Sequence, residues 1–258
     1  MKAPQIFITF LFSLILAAQK NDQIIRYEYS LTIHTEIEKN IEMVLDVYND
    51  TTYFTEKKFI EFQQDIDRAY TEKDTKLRFE ILKNATKKHE KPDYFIIKSN
   101  AKDNITFEKF KNQKFYISES RNALKWDIDE NPFIWNGFSV KKATTFCDGR
   151  FWTVYFTQDI SLNTGPYKFN NLPGFVVKAW DKTNQFVFEY ETREKLLKQP
   201  LYIYKPETYS EITLHEKKVL KEVFYPDIAN TKNDKSRATG IKIENIENSI
   251  DLSFVEEI

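Results

Sequence analysis

The side chains best suited to chemistry in this sequence are few and scattered. There is one cysteine, Cys147, and there are three histidines, His34, His89 and His215. A cysteine nucleophile needs a histidine base within hydrogen-bond reach, and no local motif surrounds any of these residues. An ordinary half-buried thiol at a strand end is the simpler expectation for Cys147. A serine hydrolase needs a G-x-S-x-G elbow, and the sequence contains none. The same cysteine and histidines lack the spacing of zinc ligands. Asp46, Asp65 and Asp67 could meet in space, but with 30% of residues charged, carboxylates are ordinarily solvated. A glycosidase pair of carboxylates has no local spacing by which to recognise it. No catalytic residue, metal or cofactor is assigned.

The more informative chemistry is conformational. The chain has only five glycines, yet Gly165 and Gly174 fall close together and each adjoins a proline. Leu172-Pro173-Gly174-Phe175 suits a type II turn, with Pro173 fixing φ and Gly174 supplying a positive φ. The loop from Asp159 to Leu172 is the candidate contact surface, stiffened so that Tyr167, Lys168 and Phe169 point outward. Its candidate binding residues are Gly165, Pro166, Tyr167, Lys168, Phe169, Leu172, Pro173 and Gly174. The opposing reading is a plug, in which Phe169 and Leu172 close the end of a sheet.

Aromatic residues make up 16% of the chain, and all four tryptophans lie between Trp126 and Trp180. On the strand from Arg150 to Thr157, Trp152, Val154 and Phe156 alternate with Phe151 and Tyr155. Both faces are apolar, which suggests a central strand covered twice. Trp152 and Phe156 are a candidate face for an apolar ligand, against the plainer reading of a large aromatic core.

These residues need a scaffold, and its periodicity is mostly that of strands. Ile25, Tyr27, Tyr29, Leu31 and Ile33 alternate with polar residues, and Ile41, Met43, Leu45 and Val47 repeat the pattern. Glu36 to Asn40 joins them as a hairpin. From Glu56 to about Asn84 the spacing of Phe59, Ile60, Phe62, Ile66 and Tyr70 becomes helical, with charged residues that suggest a loose surface excursion. Short strands then resume every ten residues or so, a meander rather than alternating strand and helix. Asp148-Gly149 is a strong hairpin signal. Ile212, Val219, Leu220 and Val223 mark a late helix, capped by Thr208 or Ser210. The expected class is mainly β: a curved, mostly antiparallel sheet, half-open barrel or sandwich-like, with a helical excursion and a late helix.

Lys2, an apolar run from Ile6 to Leu16 and the small residues Ala17 and Ala18 read as a signal peptide over residues 1–18. Residues 19–258 then form a single exported domain, periplasmic or secreted. No cysteine follows the cleavage region to carry a lipid anchor, and a lone cysteine makes no internal disulfide. A formal charge of −1 gives no electrostatic case for nucleic acid or an anionic membrane, and no stable membrane insertion is expected.

Trp126-Asp127-Ile128, Lys142-Ala143-Thr144-Thr145, Gly149-Arg150-Phe151, Gly165-Pro166-Tyr167-Lys168-Phe169 and Leu172-Pro173-Gly174 follow one another between Trp126 and Asp181. In order and spacing they resemble the core of the GLPGLI family of exported proteins from Bacteroidetes. The chain departs from that pattern at Asn171, which replaces the leading glycine, and at the final pair, Phe175-Val176. Tyr155 and Ser161 stand where the family carries tryptophan and proline, and Ser139 and Val140 where a cysteine is common. The resemblance implies no settled activity; such genes often neighbour those of TonB-dependent outer-membrane receptors. Three functions follow as expectations: a non-catalytic envelope binding or accessory protein serving such a receptor, a periplasmic carrier of an apolar ligand, or an enzyme of unrecognised type.

Overall fold

A computed structural model describes residues 24–89, 95–110, 113–197 and 209–224. The expected signal peptide, Thr208 and the chain beyond residue 224 lie outside these. The alternating segments form β1 (Ile24–Ile33) and β2 (Lys39–Tyr48), antiparallel, with Tyr27 opposite Leu45 and Tyr29 opposite Met43. A further strand, β3 (Thr51–Glu56), follows a turn in which Asn49 has a φ of 52°. Its run of threonines and aromatics has strand propensity but too little alternation to stand out.

The helical excursion is two helices, α1 (Lys57–Thr71) and α2 (Thr75–His89). Next come β4 (Phe95–Ser99), β5 (Asp103–Phe110) and β6 (Gln113–Ser120). A second meander follows: β7 (Asp127–Trp135), β8 (Phe138–Cys147), β9 (Arg150–Thr157), β10 (Phe175–Asp181) and β11 (Phe186–Leu197). A short β12 (Ser210–Glu211) and α3 (Leu214–Phe224) complete the described elements.

The strands make one sheet in the order β12-β6-β5-β4-β3-β2-β1-β11-β10-β9-β8-β7. Every pairing is antiparallel except that of β12 with β6. The two meanders join where β11 pairs with β1, and β12 and β7 remain as edges, so the curved sheet does not close. This is the expected half-open architecture. Two hairpins use the mirror-image turn that suits strand twist, with positive φ at Asn136 and Gly137 and at Asp148 and Gly149.

The sheet has two apolar faces with different covers. The concave face carries the main core, including Tyr29, Leu31, Leu45, Trp152, Phe156 and Phe188. On the other face, α1 seats Phe59 and Ile60 against Val44, Ile96 and Phe107. The helical excursion is thus anchored at its start rather than loose, because these two side chains complete a core that the sheet cannot close alone. The late helix also differs from expectation. Val219 is exposed while Lys217 turns inward to Glu108 at 2.9 Å, and the cap is Thr213. Thr213 and Glu216 form a reciprocal capping box, the Thr213 amide donating to Glu216 Oε2 at 2.7 Å and the Glu216 amide to Thr213 Oγ1 at 3.1 Å.

Gly174 corrects the expected type II turn. Among the described glycines, positive φ is confined to Gly137 and Gly149, so Gly174 is not there for left-handed backbone. A Cβ on Gly174 would lie 2.4 Å from the Thr157 carbonyl oxygen, so the residue is set by close approach of two backbones. Gly174→Ala should therefore lower stability in urea by about 2 kcal/mol, as overpacking does. An unchanged midpoint would show that the strands separate freely at this point.

Candidate functional site

The segment between β9 and β10 folds into the concave face. Tyr167, Lys168, Phe169, Asn170 and Leu172 are all buried, so the outward contact loop anticipated from sequence is replaced by a plug. The reason is packing. Phe169 lies 4.8 Å from Trp152, 6.2 Å from Phe188 and 6.1 Å from Trp126, ring centre to ring centre. Gly165 permits the turn inward: a Cβ there would sit 2.5 Å from Val176 Cβ and 2.8 Å from the Phe169 carbonyl oxygen. Pro166 accepts the Phe169 amide at 3.1 Å, and the Thr164 carbonyl accepts that of Val176 at 2.9 Å. Pro173 and Asn171 remain at the surface.

The candidate ligand face meets the same loop. Trp152 and Phe156 are 1% and 2% exposed, and no open concavity remains over Trp152 because Tyr167 and Phe169 occupy it. Trp152 donates its indole N–H to the Cys147 carbonyl at 3.2 Å, which fixes the ring's direction. The opposite face of β9 is not covered as expected. Phe151 is 60% exposed and Phe146, its cross-strand partner, 58%, with their rings 5.0 Å apart. Tyr155 is half-buried among Phe133, Trp180 and Trp135, and Lys178 sits 5.7 Å from Trp135 and 5.5 Å from Trp180.

A buried charged cluster holds the loop. Lys168 Nζ lies 2.5 Å from Glu119 Oε2 on β6 and 3.0 Å from Asp148 Oδ2 in the β8–β9 turn. Tyr167 donates its hydroxyl to the same Asp148 carboxylate. Burial alone would lower the Lys168 pKa, but Asp148 and Glu119 raise it well above the ordinary lysine value. Burial opposes the Asp148 charge, yet Lys168 and the Tyr167 hydroxyl hold its carboxyl below the usual range. Burial and the neighbouring Asp148 push the Cys147 thiol well up, which removes its thiolate at neutral pH. Lys168, Asp148 and Cys147 are thus each shifted away from neutral titration.

A second polar row lies beside it. Ser99, Asn104 and Glu119 are direct cross-strand neighbours on β4, β5 and β6. The Asn170 amide donates to Asn104 Oδ1 at 2.6 Å, and Ser99 donates to the same oxygen at 2.7 Å. Trp126 donates to the Asn170 carbonyl at 2.9 Å. The Asn170 side-chain oxygen and the Thr106 hydroxyl are buried with no partner among the described residues. Tyr167 and Asn171 take φ values of 55° and 68°. For tyrosine, left-handed backbone costs roughly 1–2 kcal/mol, so the fold holds it there against its preference.

Among the described residues, the carboxylates considered for a metal form no ligand group. Asp46 takes a bidentate bond from Arg26, both contacts at 2.6 Å, and Asp65 pairs with Arg68 along α1. Among the described residues, His34 bonds the Asn184 carbonyl and no histidine appears among the groups that bond or perturb Cys147. Sequence reasoning missed Glu119, Asn104 and Asn170. The available signal was polar residues at inward register positions of β5 and β6, whose pairing the sequence does not reveal.

No family model matches the chain, and no curated protein matches it in sequence. Solved structures of PNGF-II, in two crystal forms, are similar in fold. One matches at 16% identity with a TM-score of 0.51, covering 77% of this chain and 32% of that one. The other matches at 17% identity and the same TM-score, covering 33% of its own length. The chain thus spans about a third of the length of the protein it resembles. A LolA superfamily protein from Nitrosomonas europaea aligns at 8% identity and a TM-score of 0.27, too distant to carry an inference. No helix among the described residues is long and apolar enough to cross a membrane.

Two substitutions test the plug. Phe169→Ala removes a ring with no exposed surface and should cost about 3–5 kcal/mol. Lys168→Met leaves two carboxylates without their cation and should cost a similar amount, about 3–5 kcal/mol. The pH dependence has a definite sign. The depressed Asp148 stabilises above an ordinary carboxylate pKa of about 3.9, an effect lost as pH falls through its lower folded value. The raised Lys168 stabilises below about 10.4, an effect lost as pH rises through its higher folded value. Urea melts of Asp148→Asn should show lower stability at pH 7 and a weaker acid limb than wild type. Parallel curves would remove Asp148 from the account.

Proposed function

We propose that this chain is an exported, non-catalytic binding or accessory protein of the cell envelope. The observation that carries the reading is the uncovered aromatic face of β7–β10. The helices cover the sheet's other half, but no described element covers Phe146 and Phe151, and Phe133 on the same face of the edge strand is also exposed. An exposed cluster of large apolar side chains, set beside Lys178 and Lys182, suits a protein contact better than solvent. The GLPGLI-like segment runs through this same face and makes an outer-membrane receptor of the TonB-dependent kind the first partner to test.

A photo-crosslinking residue at position 151, in cells of the source organism, should yield a discrete adduct with such a receptor. The same residue at Tyr70, 72% exposed on α1, should not. Adduct at both positions, or at neither, overturns the assignment of this face. The double substitution Phe146→Ser, Phe151→Ser should abolish the adduct while changing stability by no more than about 0.5 kcal/mol per site, as exposed positions do.

A further inference from the structure

The seated loop carries two burdens at once. Tyr167 holds left-handed backbone, and the Asn170 side-chain oxygen is buried without a partner among the described residues. Each disfavours the seated state, and each is relieved when the loop lifts into water. Beneath the loop lie two surfaces of unlike chemistry. Trp152, Phe156 and Phe188 form an apolar wall, and Ser99 and Asn104 form a polar row.

We propose that the loop is a displaceable plug seated in a binding site for a neutral, single-chain amphiphile with a hydroxylated head group. The tail takes the place of Phe169 and Leu172 against the aromatic wall. The head-group hydroxyls take the place of the Asn170 amide on Asn104 Oδ1 and Ser99 Oγ. A neutral, hydroxylated head follows from the row itself, whose partners are the Asn104 side-chain oxygen and the Ser99 hydroxyl, while the neighbouring Glu119 and Asp148 carboxylates disfavour an anionic head. A carboxylate or phosphate head would meet those charges in a poorly hydrated setting. Phe169 and its neighbours are then a built-in competitor that keeps the apolar wall covered when no ligand is present. This inference does not rest on the outer aromatic face, and different residues test the two.

The test titrates the full-length exported protein with 1-monolauroylglycerol below its aggregation concentration and follows amide hydrogen exchange. The Phe169 and Asn170 amides, now bonded to the Pro166 and Lys168 carbonyls, should exchange at least tenfold faster at saturation. Amides of β9 and β11 should keep their protection. Phe169→Ala, as a weaker competitor, should bind the probe at least tenfold more tightly; should that variant fail to fold, the wild-type exchange experiment decides alone. Phe146→Ser, Phe151→Ser should leave probe affinity unchanged. Absence of binding, binding with unaltered loop exchange, or loss of binding in the outer-face variant each overturns the proposal.

Discussion

One ammonium group closes this fold. A sheet whose order starts at β12 and ends at β7 has two ends that share no backbone hydrogen bonds. Lys168 reaches both sides of the gap, taking Glu119 from β6 near one end and Asp148 from the β8–β9 turn near the other. Arg121 adds a second tie, from the end of β6 to the Asn163 carbonyl at 2.8 Å. The concave core depends on that closure. Without it Phe169 and Leu172 lose their seat, and Trp152 and Phe188 face water.

The arrangement gives a common purpose to several residues placed around the loop. Trp126 bonds the Asn170 carbonyl, and Thr145 bonds the Lys125 carbonyl at 2.7 Å to hold the segment leading into β7 in place. Ala143 faces Val154 across β8 and β9 with no exposed surface. Arg150 leaves the Asp148-Gly149 turn to pair with Asp181 at 2.9 Å, both buried. Gly165 and Gly174 let the loop approach Val176 and Thr157. Residues far apart in the chain thus serve a single task, the seating of one loop between two sheet ends.

Much of this scaffold is legible in the sequence, because period-two alternation reports which face of a strand is buried. Strands expected from Phe138 to Phe146 and Arg150 to Thr157, and the Asp148-Gly149 turn, lie within one residue of where alternation and turn chemistry put them. Two kinds of information are not written locally. The first is what covers a face: Phe151 and Trp152 look alike in the sequence, yet one is exposed and the other sealed, because the loop and not the helices determines cover there. The second is the partner of a polar residue. Nothing local marks Glu119 and Asn104 as paired positions; the β5–β6 register and the inward loop bring Lys168 and Asn170 to them. Gly174 was legible as necessary but not in its role, since a contact across strands leaves no trace in a neighbouring residue.

The choice of a charged closure carries its own implication. A buried ion pair gains little net stability over well-packed apolar residues of similar volume, so Lys168 is not the most stabilising way to fill this gap. What a lysine between two carboxylates supplies is a seat that only one register of the loop satisfies, because any slip leaves charges buried and unpaired. It also supplies a seat that the loop can leave, since all three charges are well hydrated once exposed. An apolar substitute would hold the loop by a non-directional force that weakens only as water enters. The charged version makes seating nearly all-or-none, and the left-handed Tyr167 beside it keeps the seated state from being deeper than the closure requires.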